Sequence, residues 1–183
     1  MCADMRLYSV AFYIDAHLTH RTHAARDIQP GEELTIAYID ISGTRAARQA
    51  RIHQAWGFEC SCSHCSTSPE DSKASDSRLA EIETIETQLG DFHSNQASQM
   101  MIVRLLQLCE RERLYTRMAG AYTLAAMNYN LFGNWKAAKK YAGLAVQAGN
   151  IEYGPNADVI EMQDLERNPR GHWTWNGRVQ SQS

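Results

Sequence analysis

Along the first 40 positions apolar and polar residues alternate in short runs. Residues 7–14 (LYSVAFYI) and 18–25 (LTHRTHAA) are rich in aromatic and β-branched residues and flank Asp15-Ala16, which predicts two strands joined by a turn. Gln29-Pro30-Gly31-Glu32 reads as a further turn, because Pro30 presets φ and Gly31 accepts a positive φ. Residues 34–39 (LTIAYI) then resume as a short, mostly apolar strand, expected to be buried. From Thr44 the spacing becomes helical. Arg45, Arg48 and Arg51 recur three apart, and Ala47, Ala50 and Ala55 supply helix propensity. This arginine stripe is expected to be a solvated face. Residues 66–77 (STSPEDSKASDS) lack an apolar anchor and read as a polar linker, assigned to 67–78. Beyond it the pattern predicts helices over 79–89, over 100–112, and through a long run from Tyr115. In that run Tyr122, Ala126 and Tyr129 share one face, Gly133 and Trp135 mark a turn, and Ala138, Tyr141 and Ala145 share a second face.

The chain has 183 residues, 44% of them hydrophobic, which is ordinary for a polypeptide that buries a core. Eighteen basic and 21 acidic residues leave a formal charge of −3, so no strong field is directed at nucleic acid. Asp4 and Arg6 interrupt the N-terminal stretch where a signal peptide needs an apolar core. No segment reaches the roughly 20 apolar residues that span a bilayer. The composition points to an intracellular protein of a reducing compartment, in the nucleus or the cytoplasm, with no membrane or nucleic-acid partner.

Five cysteines change the picture. Cys60, Cys62 and Cys65 form a C-x-C-x-x-C run within GFECSCSHCS. In a reducing compartment such crowding points to zinc held by thiolates, and a structural zinc site takes four ligands. His17, His20 and His23 are also spaced three apart. On a strand that spacing puts successive side chains on opposite faces, so no metal site is expected there.

HAARDIQPGEELTIAYID, followed by a basic helix and WGFECSCSHC, resembles the C-terminal half of a SET domain with its post-SET cysteine cluster. The nearest pattern is the SET–MYND-like branch, in particular fungal SET-domain proteins, whose helical C-terminal region ends in a stretch like Gly171-His172-Trp173-Thr174-Trp175. AYTLAAMNYNLFGNWKAAKKYAGLAV, with its two faces, resembles one tetratricopeptide unit.

The resemblance implies a protein-lysine N-methyltransferase that uses S-adenosylmethionine, acting on a histone or a non-histone lysine. It makes Tyr38 the active-site tyrosine of the lysine channel and lays Phe58 against the cofactor's adenine. It makes the zinc cluster a structural element that closes one wall of the site, with Cys60, Cys62 and Cys65 as ligands; Cys2 is the candidate fourth, with His64, Cys109 and a water as its competitors. Neither the Gly-x-Gly cofactor loop nor the Asn-His pair is found in the sequence, so this chain alone is not expected to be a complete enzyme. The alternative is a non-catalytic zinc-binding module whose helical region holds a peptide partner.

The expected fold is therefore α+β. A small β-rich partial SET domain (1–56) and a zinc cluster (57–66) precede the linker (67–78), an antiparallel helical region (79–175) with one tetratricopeptide-like hairpin, and a tail (176–183).

Overall fold

The computed structural model describes residues 10–14, 17–34, 39–154 and 157–180. Two strands, β1 (Val10–Ile14) and β2 (His20–Ala24), pair antiparallel with Val10 opposite Ala24 and Ile14 opposite His20. Both approach a helix of the C-terminal region, α5 (Trp135–Tyr153). His20 and His23 fall on opposite faces of β2, as a period of two requires. The Pro30-Gly31 turn forms, with Gly31 at φ +84° and the Glu32 N–H donating to the Gln29 carbonyl at 3.1 Å. The third strand expected over 34–39 falls mostly outside the described residues, so the described β structure is this one hairpin.

Helix α1 (Arg45–Trp56) is fixed at both ends. The Thr44 hydroxyl accepts from the Ala47 N–H, and Gly57, at φ +71°, sends its N–H back to the His53 carbonyl. The arginine stripe is solvated only in part: Arg51 is exposed and Arg45 half-buried, but Arg48 turns inward. Arg48 is 2% exposed and shares an i, i+4 row with Ile52, at 1%, so this row faces the core.

Residues 67–78 do not form a linker. Helix α2 (Pro69–Gly90) begins ten residues earlier than the apolar pattern suggests. Ser68 caps it by accepting from the Asp71 N–H, Pro69 takes the first position, and Glu70 and Asp71 sit in the first turn, where the helix dipole favours carboxylates. The early turns of α2 lack apolar anchors because their buried positions are Ser72 and Ser75; from Leu79 the same face continues as Ile82, Ile85 and Leu89.

Helices α3 (Gln99–Arg111), α4 (Met118–Leu131), α5, α6 (Ile160–Arg167) and the short α7 (Gly177–Gln180) complete the element order. The faces read for the α4–α5 hairpin are the packed ones. Ala126, Tyr129, Ala138 and Ala145 are buried, and Tyr129 stacks on Tyr141 with ring centroids 5.4 Å apart. Alanines let the two helices approach closely while the tyrosines fill the angle between them. Gly133 turns the chain at φ +73°, and a Cβ there would lie 2.5 Å from the Asn176 Oδ1.

Residues 176–180 are not a free tail. Arg178 is 4% exposed and reaches the carbonyls of Ser94 and Asp91 and the side chain of Asn128. One apolar cluster runs from Ile41, Ile52 and the three neighbouring cysteines through Leu79 and Ile82 into α3, α4 and α5. The cysteine segment is thus built onto the helical core.

Candidate functional site

The sequence between α1 and α2 must reverse direction within a few residues, and α1 supplies the anchors. Gln49 grips Cys60 by two backbone bonds: its amide N–H donates to the Cys60 carbonyl and its carbonyl oxygen accepts the Cys60 N–H, both at 2.8 Å. The α1 N-terminus is tied to α2 by Asp76, whose carboxylate accepts the Arg45 N–H at 2.9 Å. Within the loop the Cys65 N–H donates to the Cys62 sulfur at 3.4 Å, and the Ser66 N–H donates to the Cys62 carbonyl at 2.9 Å.

These bonds bring the Sγ atoms of Cys60, Cys62 and Cys65 within 4.8 Å of one another, and all three side chains are buried. Zinc–sulfur bonds of about 2.3 Å place tetrahedral ligands about 3.8 Å apart, so the donor set fits the ion. The Cys65 thiol is pushed up from its ordinary range by its hydrogen bond with Cys62 and by burial, while Arg48 pulls the other way. Sulfurs this close ionise together only around a cation. Cys60 is in a disulfide whose partner is not among the described residues, so it ligates only when reduced. Neither His64 nor Cys109 joins the group. Cys109 lies in the helical core, where burial pushes its thiol up to about 12. Cys2 lies outside the described residues.

Phe58 stands two residues before Cys60, in the loop that Gly57 opens. It is 36% exposed, and Trp56 on the other side of Gly57 is 55% exposed, so two aromatic side chains reach solvent beside the sulfurs. Tyr38 lies outside the described residues. Asp40, two positions on in sequence, lines a cleft of about 460 Å3 between the 40–44 loop, α1 and α2, with Arg51, Glu83, Glu86 and Arg117. Burial opposes ionisation of Asp40. The Ser42 hydroxyl at 2.6 Å and N–H at 2.9 Å outweigh it, helped by Arg117 and Arg51, and hold the carboxyl below its ordinary range. Burial pushes the Glu86 carboxyl up, against the pull of Arg117. The cleft therefore mixes fixed charges of both signs.

Sequence reasoning missed Arg48 and Gln49 as parts of this site. A readable signal existed: Arg48 precedes Ile52 by one helical turn, and an amphipathic α1 must turn Ile52 inward. Gln49 left no such mark, since its partner is a backbone 11 residues away.

No family model matches the chain. Curated relatives do. The chain is 26% identical over 162 residues to histone-lysine N-methyltransferase set5 of Schizosaccharomyces pombe, an alignment covering 82% of this chain and 49% of that protein. It is 37% identical over 78 residues to SET5 of Meyerozyma guilliermondii, covering 32% of this chain and 16% of the relative. It is 44% identical over 48 residues to human histone-lysine N-methyltransferase SMYD3, covering 26% and 11%. The chain thus spans about half or less of the length of the curated relatives it matches. Over that partial span, this polypeptide is SET-domain protein-lysine methyltransferase-like.

Proposed function

We propose that the chain supplies part of the site of an S-adenosylmethionine-dependent protein-lysine N-methyltransferase, contributing the lysine-channel tyrosine and an aromatic wall folded over the cofactor by a zinc cluster. The observation that carries this reading is the convergence of three sulfurs directly after Phe58, in a sequence whose relatives are named histone-lysine methyltransferases. S-adenosylmethionine, when bound, supplies a methyl group on a sulfonium, open to in-line attack by a neutral amine. The residues of this chain deliver and orient. Tyr38 lines the channel and steers the amine through its hydroxyl. Phe58 offers its ring to the adenine. Cys60, Cys62 and Cys65, with Cys2 as fourth ligand, hold zinc and fix the Phe58 loop in place. The substrate is a protein lysine, on a histone or another protein, met in the nucleus or cytoplasm.

In this reading residues 1–56 belong to the SET part, 57–66 to the zinc cluster, and the α4–α5 hairpin is a tetratricopeptide-like unit. Calorimetry of the reduced, zinc-loaded chain with S-adenosylhomocysteine tests the assignment. Saturable heat is expected, and Phe58→Ala should weaken binding by about tenfold or more, a loss in the range of a well-placed aromatic contact. Phe58 is exposed enough to be replaced without opening the core. No heat at high micromolar ligand, with zinc bound, would leave the second reading, a non-catalytic zinc-binding and helical interaction module. That reading is favoured by the extent of the apolar core that α2 to α6 build among themselves.

A further inference from the structure

Between α6 and residues 168–173 lies an open groove of about 790 Å3, within the size range of ligand pockets. Two large apolar side chains stand exposed along it, Ile160 at 68% and Trp173 at 59%. The Trp173 ring is held in place: its indole N–H donates to Glu161 Oε1 at 2.8 Å, and it meets Phe92 edge to face at 5.7 Å. Three carboxylates, those of Asp158, Glu161 and Asp164, line the groove against one guanidinium, that of Arg167. Arg167 pairs with Asp164 at 3.1 Å. Asp158 makes no hydrogen bond or ion pair among the described residues, and Glu161 uses only its Oε1. His172 adds no charge, because burial pulls its pKa below the ordinary 6.5 against the influence of Glu161 and Asp164. The groove is therefore both anionic and aromatic.

An unpaired donor indicates what fills it. The His172 side chain lines the groove and is only 6% exposed. Its Nδ1 accepts the Thr174 N–H at 3.3 Å and meets the Thr174 hydroxyl at 2.8 Å, so the neutral ring carries its proton on Nε2. Glu161 Oε1 lies 3.7 Å from that Nε2, beyond hydrogen-bond reach. A buried N–H without an acceptor is costly, and a peptide carbonyl would satisfy it. Arginine suits the rest of the lining, since a guanidinium stacks on an indole face and donates in a fork to carboxylates. The geometry points to this groove as a docking site for an arginine-bearing, basic peptide segment of a partner protein. The His172 Nε2–H takes a backbone carbonyl, Trp173 with Asp158 and Glu161 takes the guanidinium, and Ile160 takes a neighbouring apolar side chain. Charge complementarity selects this occupant over an acidic one. The inference stands apart from the methyltransferase reading, because the groove includes neither the cysteines nor Tyr38.

The test is a titration of the full chain into a short fluorescein-labelled peptide of arginine, leucine and glycine, followed by anisotropy at about 0.1 M salt, where long-range charge effects are screened. Saturable binding is expected. Trp173→Ala and the double variant Asp158→Asn/Glu161→Gln should each weaken it by about tenfold or more. The control Glu33→Gln/Glu110→Gln removes two exposed charges elsewhere and should leave it unchanged. A peptide with citrulline in place of arginine, which keeps the shape without the charge, should not bind. If Trp173→Ala lowers the thermal midpoint, the double variant carries the test, because both of its residues are exposed. Absence of saturable binding overturns the proposal. Equal weakening by the control variant overturns it in favour of a general charge attraction. Equal binding of the citrulline peptide, or tighter binding of a glutamate counterpart, also overturns it. A dimer in sedimentation that dissociates in the double variant makes a second copy the occupant and overturns it too. Each of these failures leaves zinc uptake and S-adenosylhomocysteine binding unaffected, so the methyltransferase reading is judged separately.

Discussion

Among the described residues two arginines, Arg48 and Arg178, are buried almost completely, and they are satisfied in different ways. Arg178 docks the C-terminal segment on the helical region. It donates to the Ser94 carbonyl at 3.1 Å, to the Asp91 carbonyl at 3.0 Å and to the Asn128 side chain, and it lies 5.2 Å from the Phe132 ring centroid. Carbonyl dipoles and a π face spread its charge, and Asn128 is itself held by its amide N–H to the Leu89 carbonyl at 3.0 Å. Arg48 donates to one carbonyl, that of Gly43, and its Nε is idle. The first is held by a network of acceptors; the second satisfies fewer of its donors. Burial of a cation therefore does not itself mark a functional site, but what surrounds it does.

The comparison can be broken most forcefully at Arg178. Arg178→Met strips several hydrogen bonds at once and leaves the Asn128 oxygen and two carbonyls without their donor. A loss of about 2–4 kcal/mol is expected, read from urea unfolding. The same loss is expected with and without zinc. A zinc-dependent loss at Arg178 would mean that the two regions are not separable in this way.

A smaller effect is expected at Glu152. Its carboxylate accepts the Ala119 N–H at 2.9 Å at the start of α4, and burial pushes its pKa up to about 7. The folded state thus holds this proton more tightly than the unfolded chain, whose carboxyl titrates near the ordinary value of 4.5. The stabilisation is fully present below about pH 4.5 and fades as pH rises through about 7. Glu152→Gln should flatten the stability profile between pH 5 and about 8 and raise the thermal midpoint more at the alkaline end. An unchanged slope would show that Glu152 titrates normally.

Much of the helical framework was legible because it is local. Thr44 and Gly57 announce the ends of α1, Gly133 announces the α4–α5 turn, and the two tyrosine–alanine faces carry their own period. The cysteine spacing announced its own convergence. What escaped notice depends on distant polar pairing. Ser75 is buried in α2 because its hydroxyl donates to the Glu112 carboxylate at 2.7 Å, 37 residues on, and Glu112 also takes the Arg78 guanidinium. Without knowledge of that partner, a serine-rich stretch reads as loop, although Ser68-Pro69-Glu70-Asp71 carries the start signals of a helix. Arg178 lies 50 residues from Asn128 and 87 from Asp91, and no periodicity foretells such bonds. Tyr38 and Cys2 rest on the resemblance, since both fall outside the described residues.

The most direct measurement is zinc content and hydrogen exchange of the reduced chain before and after chelation. The account predicts about one tightly held zinc per chain, from the closed four-ligand sites that thiolate clusters form. It also predicts that removing the metal speeds exchange in residues 41–66 while α4 and α5 keep their protection. A reduced chain that holds no zinc, or an α1 and cysteine loop equally protected with and without it, would contradict the account.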